Sequence, residues 1–184
     1  MPFDVFISYS GHDKLIADAV CAGLEGVGVR CWIAPRDIGS GQTYAGEIIK
    51  AIRECRAMVV IFSSHSNSSQ QVMREVERAV NAATIIVPFR IEDVKPSADM
   101  EYYLSVPHWL DALSPPLETH IAKLSSQLRA LLGAAAGKPP FEGVKPPQPP
   151  NKPRVPVQEV HPDDWSKKNP KKKGFIARLF DVDS

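Results

Sequence analysis

Five short runs of almost uninterrupted apolar residues constrain the fold of this chain more than any other feature. They are Phe3 to Ser8, Val29 to Ala34, Ala57 to Phe62, Ile85 to Phe89 and, more weakly, Val106 to Leu110. A strand with one face in water alternates apolar and polar residues, whereas a strand covered on both faces reads as a continuous apolar run. Between the runs lie stripes with helical spacing: Leu15, Ile16, Ala19, Val20 and Leu24; then Ile48, Ile49, Ile52 and Cys55; then Val72, Val76, Ala79, Val80 and Ala83. The last helix is expected to open with Ser114 as N-cap and Pro115 at its first position. It continues through Leu117, Ile121, Leu124, Leu128 and Leu131, and Gly133 is expected to stop it. Strand and helix in alternation imply right-handed crossovers and an α/β fold built on a parallel sheet.

The pattern ends at Gly133, and composition changes there. Residues 1–133 carry 12 Lys/Arg against 15 Asp/Glu; residues 134–184 carry 10 against 6 and 10 of the 17 prolines. We therefore divide the chain into a folded domain over 1–133, a Pro/Lys-rich disordered linker over 134–170 and a basic amphipathic tail over 171–184. The linker holds too few apolar side chains to offset the entropy of ordering. In the tail, Phe175, Ile176, Leu179 and Phe180 share one helical face behind a run of lysines, so residues 165–184 are a candidate for weak contact with an anionic membrane surface. A solvated lysine run is the plainer alternative. The whole chain, 184 residues with formal net charge +1, is not the strongly cationic body of a nucleic-acid binder, and it has room for one ordinary domain. Cys21, Cys31 and Cys55 lack metal-ligand or disulfide-framework spacing and read as buried small hydrophobes in a reducing compartment. With no basic leader and no apolar run near the ~20 residues of a membrane span, the protein is expected to be cytoplasmic.

In an open parallel sheet, ligands bind beyond the carboxyl ends of the strands. That rule selects the loops Ser8 to Asp13, Pro35 to Tyr44 and Ser63 to Gln71. None carries a phosphate-cradling glycine motif or a G-x-S-x-G nucleophile elbow, and the third strand lacks the terminal Asp of a response-regulator receiver. The third loop says more. Ser68 is a candidate N-cap, with Gln71 at capping-box spacing. With Val72 at zero and about 100° per residue, the apolar stripe centres at about 40°, Glu75 at about −60° and Gln71 at about −100°. Glu75 is thus placed to be half-buried and aimed into the crevice. Alternatively it pairs with Arg78 on a solvated flank.

Three segments carry a resemblance. Asp4-Val5-Phe6-Ile7-Ser8-Tyr9-Ser10, then Cys31-Trp32-Ile33-Ala34-Pro35-Arg36-Asp37-Ile38 with Gly41, then Phe62-Ser63-Ser64 with Ser68, Gln71, Val72 and Glu75, resemble the three boxes of a Toll/interleukin-1 receptor (TIR) domain of the bacterial type, over residues 2 to about 132. The resemblance implies a flavodoxin-like fold with a five-stranded parallel sheet, and a 35–44 loop that mediates self-association or binding of other TIR domains. Some members of the family cleave NAD+ at the nicotinamide–ribose bond, as hydrolases or cyclases; others only assemble. In the enzymes the catalytic carboxylate sits where Glu75 stands, and NAD+ is the substrate, with no separate cofactor and no metal. A fixed anion near C1′ would stabilise the oxocarbenium-like ribose left by departing nicotinamide. The implied pocket takes Phe6, Ser8, Ser10, Gly11, Trp32, Arg36, Asp37, Gly39 and Gln71. Several have plainer roles: Trp32 as strand core, Ser10 and Gly11 as turn residues before a helix capped by Asp13, Arg36 and Asp37 as partners of each other or of water, and Gln71 as a capping residue; His12, near the crevice, has the plainer role of a solvated loop residue. One position departs from the family, since many catalytic members carry Trp where this chain has Gln71. Stacking would then fall to Phe6, Tyr9, Trp32, Tyr44 or another copy of the domain.

Overall fold

A computed structural model describes residues 3–39, 41, 43–105 and 109–135. The expectations for residues 106–108, for the linker beyond Ala135 and for the 171–184 tail lie outside that set. Five strands form one parallel sheet: β1 (Val5–Ser8), β2 (Cys31–Ile33), β3 (Ala57–Phe62), β4 (Ile85–Arg90) and β5 (Leu110–Asp111). Their order is β2-β1-β3-β4-β5, which is the flavodoxin-like doubly wound arrangement. Among the described residues, six α-helices flank the sheet: α1 (Lys14–Glu25), α2 (Tyr44–Glu54), α3 (Ser64–Ser68), α4 (Gln70–Asn81), α5 (Ala98–Leu104) and α6 (Leu117–Ala135).

Strand period two sorts the core into two halves. Val5, Ile7, Ala57, Val59 and Ile61 face α1 and α6. Phe6, Met58, Val60 and Phe62 face α2, α4 and α5, together with Val72, Val76 and Ala79 of α4. Ser8 follows Phe6 by two residues and so points to the α4 face, at the end of β1. The crossover direction reverses between β1 and β3, and this is where the fold leaves a crevice.

On the other face, α1 meets α6 closely. A Cβ built on Gly23 would lie 2.4 Å from Cγ2 of Ile121, so only glycine allows this approach. Valine at position 23 would recover less than ~1 kcal/mol of helix propensity over glycine, against an overpacking cost of about 1–3 kcal/mol. We expect Gly23→Val to destabilise the fold by about 2 kcal/mol, measured by urea unfolding.

Several element ends differ from expectation. The last helix starts at Leu117 rather than Pro115, because the residue before a proline is pushed out of the α region and Pro116 follows Pro115. It runs through Gly133 to Ala135: a helical glycine costs only ~1 kcal/mol relative to alanine, and the two residues after it are alanines, which favour the helix most. The cap of α4 is Ser69, whose Oγ accepts from the Val72 amide at 3.3 Å. Ser68 belongs instead to α3, where its hydroxyl donates to the carbonyls of Ser64 and His65. Segment 64–68, read as loop, is a helical turn capped by Ser63 in a reciprocal box with Ser66. Helix α5, with Ser97 as its cap, was not anticipated.

Candidate active site

Helix α4 buries Val72, Val76 and Ala79 against the sheet, and the same face carries Glu75, only 6% exposed. The Ser8 hydroxyl donates to Oε2 of Glu75 at 2.6 Å. Nε2 of Gln71, one turn earlier, donates to Oε1 at 3.1 Å. Each carboxylate oxygen therefore has one neutral donor. Burial pushes the Glu75 carboxyl above the ordinary carboxylate range, and the bonds from Ser8 and Gln71 offset only part of that. The Glu75–Arg78 pairing weighed from sequence is not formed: the carboxylate turns inward, and Arg78 is exposed.

The carboxylate opens into a cleft of about 150 Å³ lined by Phe6, Ile7, Tyr9, Gly11, Ala34, Tyr44, Gln71 and Glu75. Small-molecule pockets run from about 300 Å³ upward. This one fits a single ring or sugar, so most of a dinucleotide would lie outside it. Its wall is braced by Tyr9, whose hydroxyl donates to the Ala34 carbonyl at 2.6 Å and ties the first loop to the start of the 35–44 loop.

Of the expected pocket residues, the structure brings Phe6, Ser8, Gly11 and Gln71 to Glu75 or its cleft. Trp32 stands behind Phe6, with ring centroids 4.8 Å apart and planes 13° from parallel, and is buried as strand core. Ser10 is buried and begins a 3₁₀ turn over Gly11–Asp13 without a side-chain cap bond. Arg36 faces away from the cleft toward α1, where its guanidinium donates to Glu25 at 2.8 and 3.0 Å, to Asp37 and to the Cys31 carbonyl. Asp37 also accepts from the Ile33 amide at 2.8 Å. Gly39 lies exposed in the 35–44 loop. Among the described residues, no group of three or more His, Cys, Asp or Glu could hold a metal, and no helix is long and apolar enough to cross a membrane.

Sequence reasoning missed how the site's loops are joined. Asp13 makes no cap bond at the start of α1; its carboxylate accepts from the Ser63 hydroxyl at 2.7 Å, a buried link between the loops after β1 and β3. Above it, His12 and His65 stack at 4.3 Å, both exposed. Glu92 accepts from the Ser64 amide at 2.8 Å, and Asn67 holds the 95–97 segment. The S-x-x-S spacing of Ser63 and Ser66 was the available signal for α3.

Among the described residues, Ser8 has no substitute on Oε2. Removing a donor from a buried acceptor costs about 1–3 kcal/mol, so Ser8→Ala should destabilise the protein by that amount at neutral pH. Losing a bond to the charged form also raises the Glu75 pKa further. Carboxyl NMR titration should show that upward move.

A doubly wound sheet with a buried, neutrally bonded carboxylate at its switch point defines a class of α/β proteins with a ligand cleft at the strand ends. Residues 5–125 match the TIR domain family, and the chain belongs to that family. It is 31% identical over 112 residues to a protein of Brachypodium distachyon named "Probable 2' cyclic ADP-D-ribose synthase BdTIR", a match covering 55% of this chain and 50% of that protein. The chain thus spans about half the length of this curated relative. Among solved structures it resembles the TIR domains of the activated Roq1 resistosome recognising the effector XopQ, with TM-score 0.61, 18% identity, and coverage of 68% of this chain and 99% of that one. It also resembles the TIR domain of the Toll-related receptor TRR-2 of Hydra magnipapillata, with TM-score 0.59, 19% identity, and coverage of 69% and 98%. At these identities the structural likenesses establish the fold.

Proposed function

We propose that this TIR domain cleaves the nicotinamide–ribose bond of NAD+, with Glu75 as the catalytic carboxylate. The observation that carries the reading is Glu75 itself, buried at the end of the sheet, held on both oxygens by Ser8 and Gln71 and open to a ring-sized cleft. The C1′–N electron pair leaves with nicotinamide, which departs neutral and needs no acid. Positive charge develops on the ribose, and an anion in a poorly solvated cleft stabilises that charge more than it would in water. Water adding to C1′ gives ADP-ribose and a proton; a hydroxyl of the same nucleotide adding there gives a cyclic isomer. The relative named as a cyclic ADP-ribose synthase supports this chemistry.

The cleft is too small for the whole dinucleotide, and Arg36 is engaged with Glu25 and Asp37. Both facts favour a site finished by a second copy, reached through the 35–44 loop. Gln71, standing where many catalytic relatives have Trp, favours a second reading: a non-catalytic module that assembles with other TIR domains. Incubation with NAD+ at high local protein concentration, followed by chromatography of the products, separates the readings. Nicotinamide with ADP-ribose marks a hydrolase, nicotinamide with a cyclic isomer marks a cyclase, and intact NAD+ marks the assembly module.

A further inference from the structure

Helix α4 sets Gln71 one turn before Glu75, exposed and at the edge of the cleft. A glutamine carboxamide carries two N–H donors and one carbonyl acceptor, whereas an ionised carboxylate can only accept. Gln71 must therefore turn its nitrogen to Glu75, and Nε2 donates to Oε1 at 3.1 Å. Its second N–H and its own Oε1 are left over. Among the described residues, no protein group bonds to either.

Three other polar side chains line the cleft, and none offers a donor and an acceptor together. Tyr9 gives its hydroxyl to the Ala34 carbonyl at 2.6 Å. Glu75 only accepts, and Tyr44, half exposed, brings a single hydroxyl. The remaining lining residues, Phe6, Ile7, Gly11 and Ala34, have no polar side-chain atoms.

We propose that Gln71 is the specificity residue of this cleft: it pairs its free N–H and Oε1 with the carboxamide of nicotinamide, and so selects NAD+ over the dinucleotide that carries nicotinic acid. The inference rests on the NAD+ reading of the site and adds to it the feature of the base that is recognised. The spacing fits. In a pyridinium nucleoside the carboxamide stands about 5 Å from C1′, close to the ~6 Å that four residues rise along a helix. With C1′ beside the Glu75 carboxylate, the amide of the base reaches Gln71. Its N–H donates to Oε1 of Gln71, and its carbonyl accepts the second N–H.

Nicotinic acid loses on two counts. Its carboxylate can take the N–H but brings no hydrogen for Oε1 of Gln71, which leaves two oxygens facing each other. It also sets a second anion close to Glu75 in a poorly solvated cleft, where like charges repel more strongly than in water. A sealed site built to hydrogen-bond a group rejects the analogue lacking it by on the order of 10⁴-fold; Gln71 is open to water, which lowers the expected preference to about 100-fold.

The test follows release of the free base from NAD+ and from nicotinic acid adenine dinucleotide by the full chain at high local concentration. For the wild type, kcat/KM should be about 100-fold higher with NAD+. Gln71→Met keeps side-chain length and helix propensity and should bring that ratio within about threefold. A change that merely displaced Glu75 would slow both substrates alike and leave the ratio intact. Binding of the free bases separates this inference from the catalytic one: the side-chain amide NMR signals of Gln71 should shift with nicotinamide at concentrations where nicotinate leaves them in place. A chain that releases neither base but shows that preference refutes cleavage and upholds the role of Gln71. The proposal is overturned if the wild type cleaves the two dinucleotides at similar rates, if Gln71→Met keeps the wild-type ratio, or if, without turnover, the two bases shift those signals alike or not at all.

Discussion

Glu75→Gln is expected to move activity and stability in opposite directions. Nicotinamide release should fall by on the order of 10³-fold, the scale of losing one electrostatic stabiliser of a developing charge. The melting temperature at pH 7 should rise by about 3 °C, equivalent to on the order of 1 kcal/mol. Glutamine is isosteric, and its Oε1 can accept from Ser8 while its amide donates to a rotated Gln71, so the packing around position 75 survives. What disappears is the cost of holding a charge out of water. Because the folded-state pKa of Glu75 is raised, the folded chain holds that proton more tightly than the unfolded one. Below about pH 4.3, where an unfolded glutamate ionises, both states are protonated and the two proteins should melt alike. Above it the unfolded chain sheds its proton first, and the wild type loses stability relative to the variant until the raised pKa is passed. Thermal melts across this range test the sign. Under the proposed mechanism wild-type turnover should fall as pH drops through that raised pKa, because the ionised form is the one assigned to stabilise the ribosyl cation.

Phe62→Ala should destabilise the fold by about 4 kcal/mol, lowering the melting temperature by about 12 °C. Phe62 ends β3 with no exposed surface and meets Trp109 edge-on, with centroids 5.0 Å apart and planes at 82°. Its ring fills the space under α4 and β5, and alanine leaves a cavity that a sheet paired on both sides cannot close. Against a total of about 5–15 kcal/mol, this is a large fraction of the stability. Ser63, the next residue, holds Asp13, so the loss should also raise amide exchange in the loops around Glu75. A loss below about 1 kcal/mol by calorimetry would mean that the ring is not packed as described.

The strands and main helices could be read from the sequence because their signal is local. Ala57 to Phe62 is apolar at every position and becomes a strand buried at every position. The stripe Val72, Val76, Ala79 points α4 at the sheet, and the angular offset of Glu75 places its carboxylate at the crevice rim. Ser8 was expected in the pocket for its place after β1; that it donates to a residue 67 positions away follows from sheet order, which no short window contains. Arg36 was set among nucleotide contacts beside its alternative of pairing with Asp37, and its further partner Glu25 comes from a helix whose angle to β2 only packing decides. The short helices α3 and α5 have too few turns for a periodic signal, and their caps, Ser63 and Ser97, were the sole local cues.

The central claim is that Glu75 makes this TIR domain an NAD+-cleaving enzyme. The most direct measurement follows nicotinamide released from NAD+ over time by the wild-type chain and by Glu75→Ala, side by side at the same high local concentration, with folding of both verified by circular dichroism. The account predicts many nicotinamide molecules per wild-type chain and almost none from the folded variant; equal release from the two, or none from either, would contradict it.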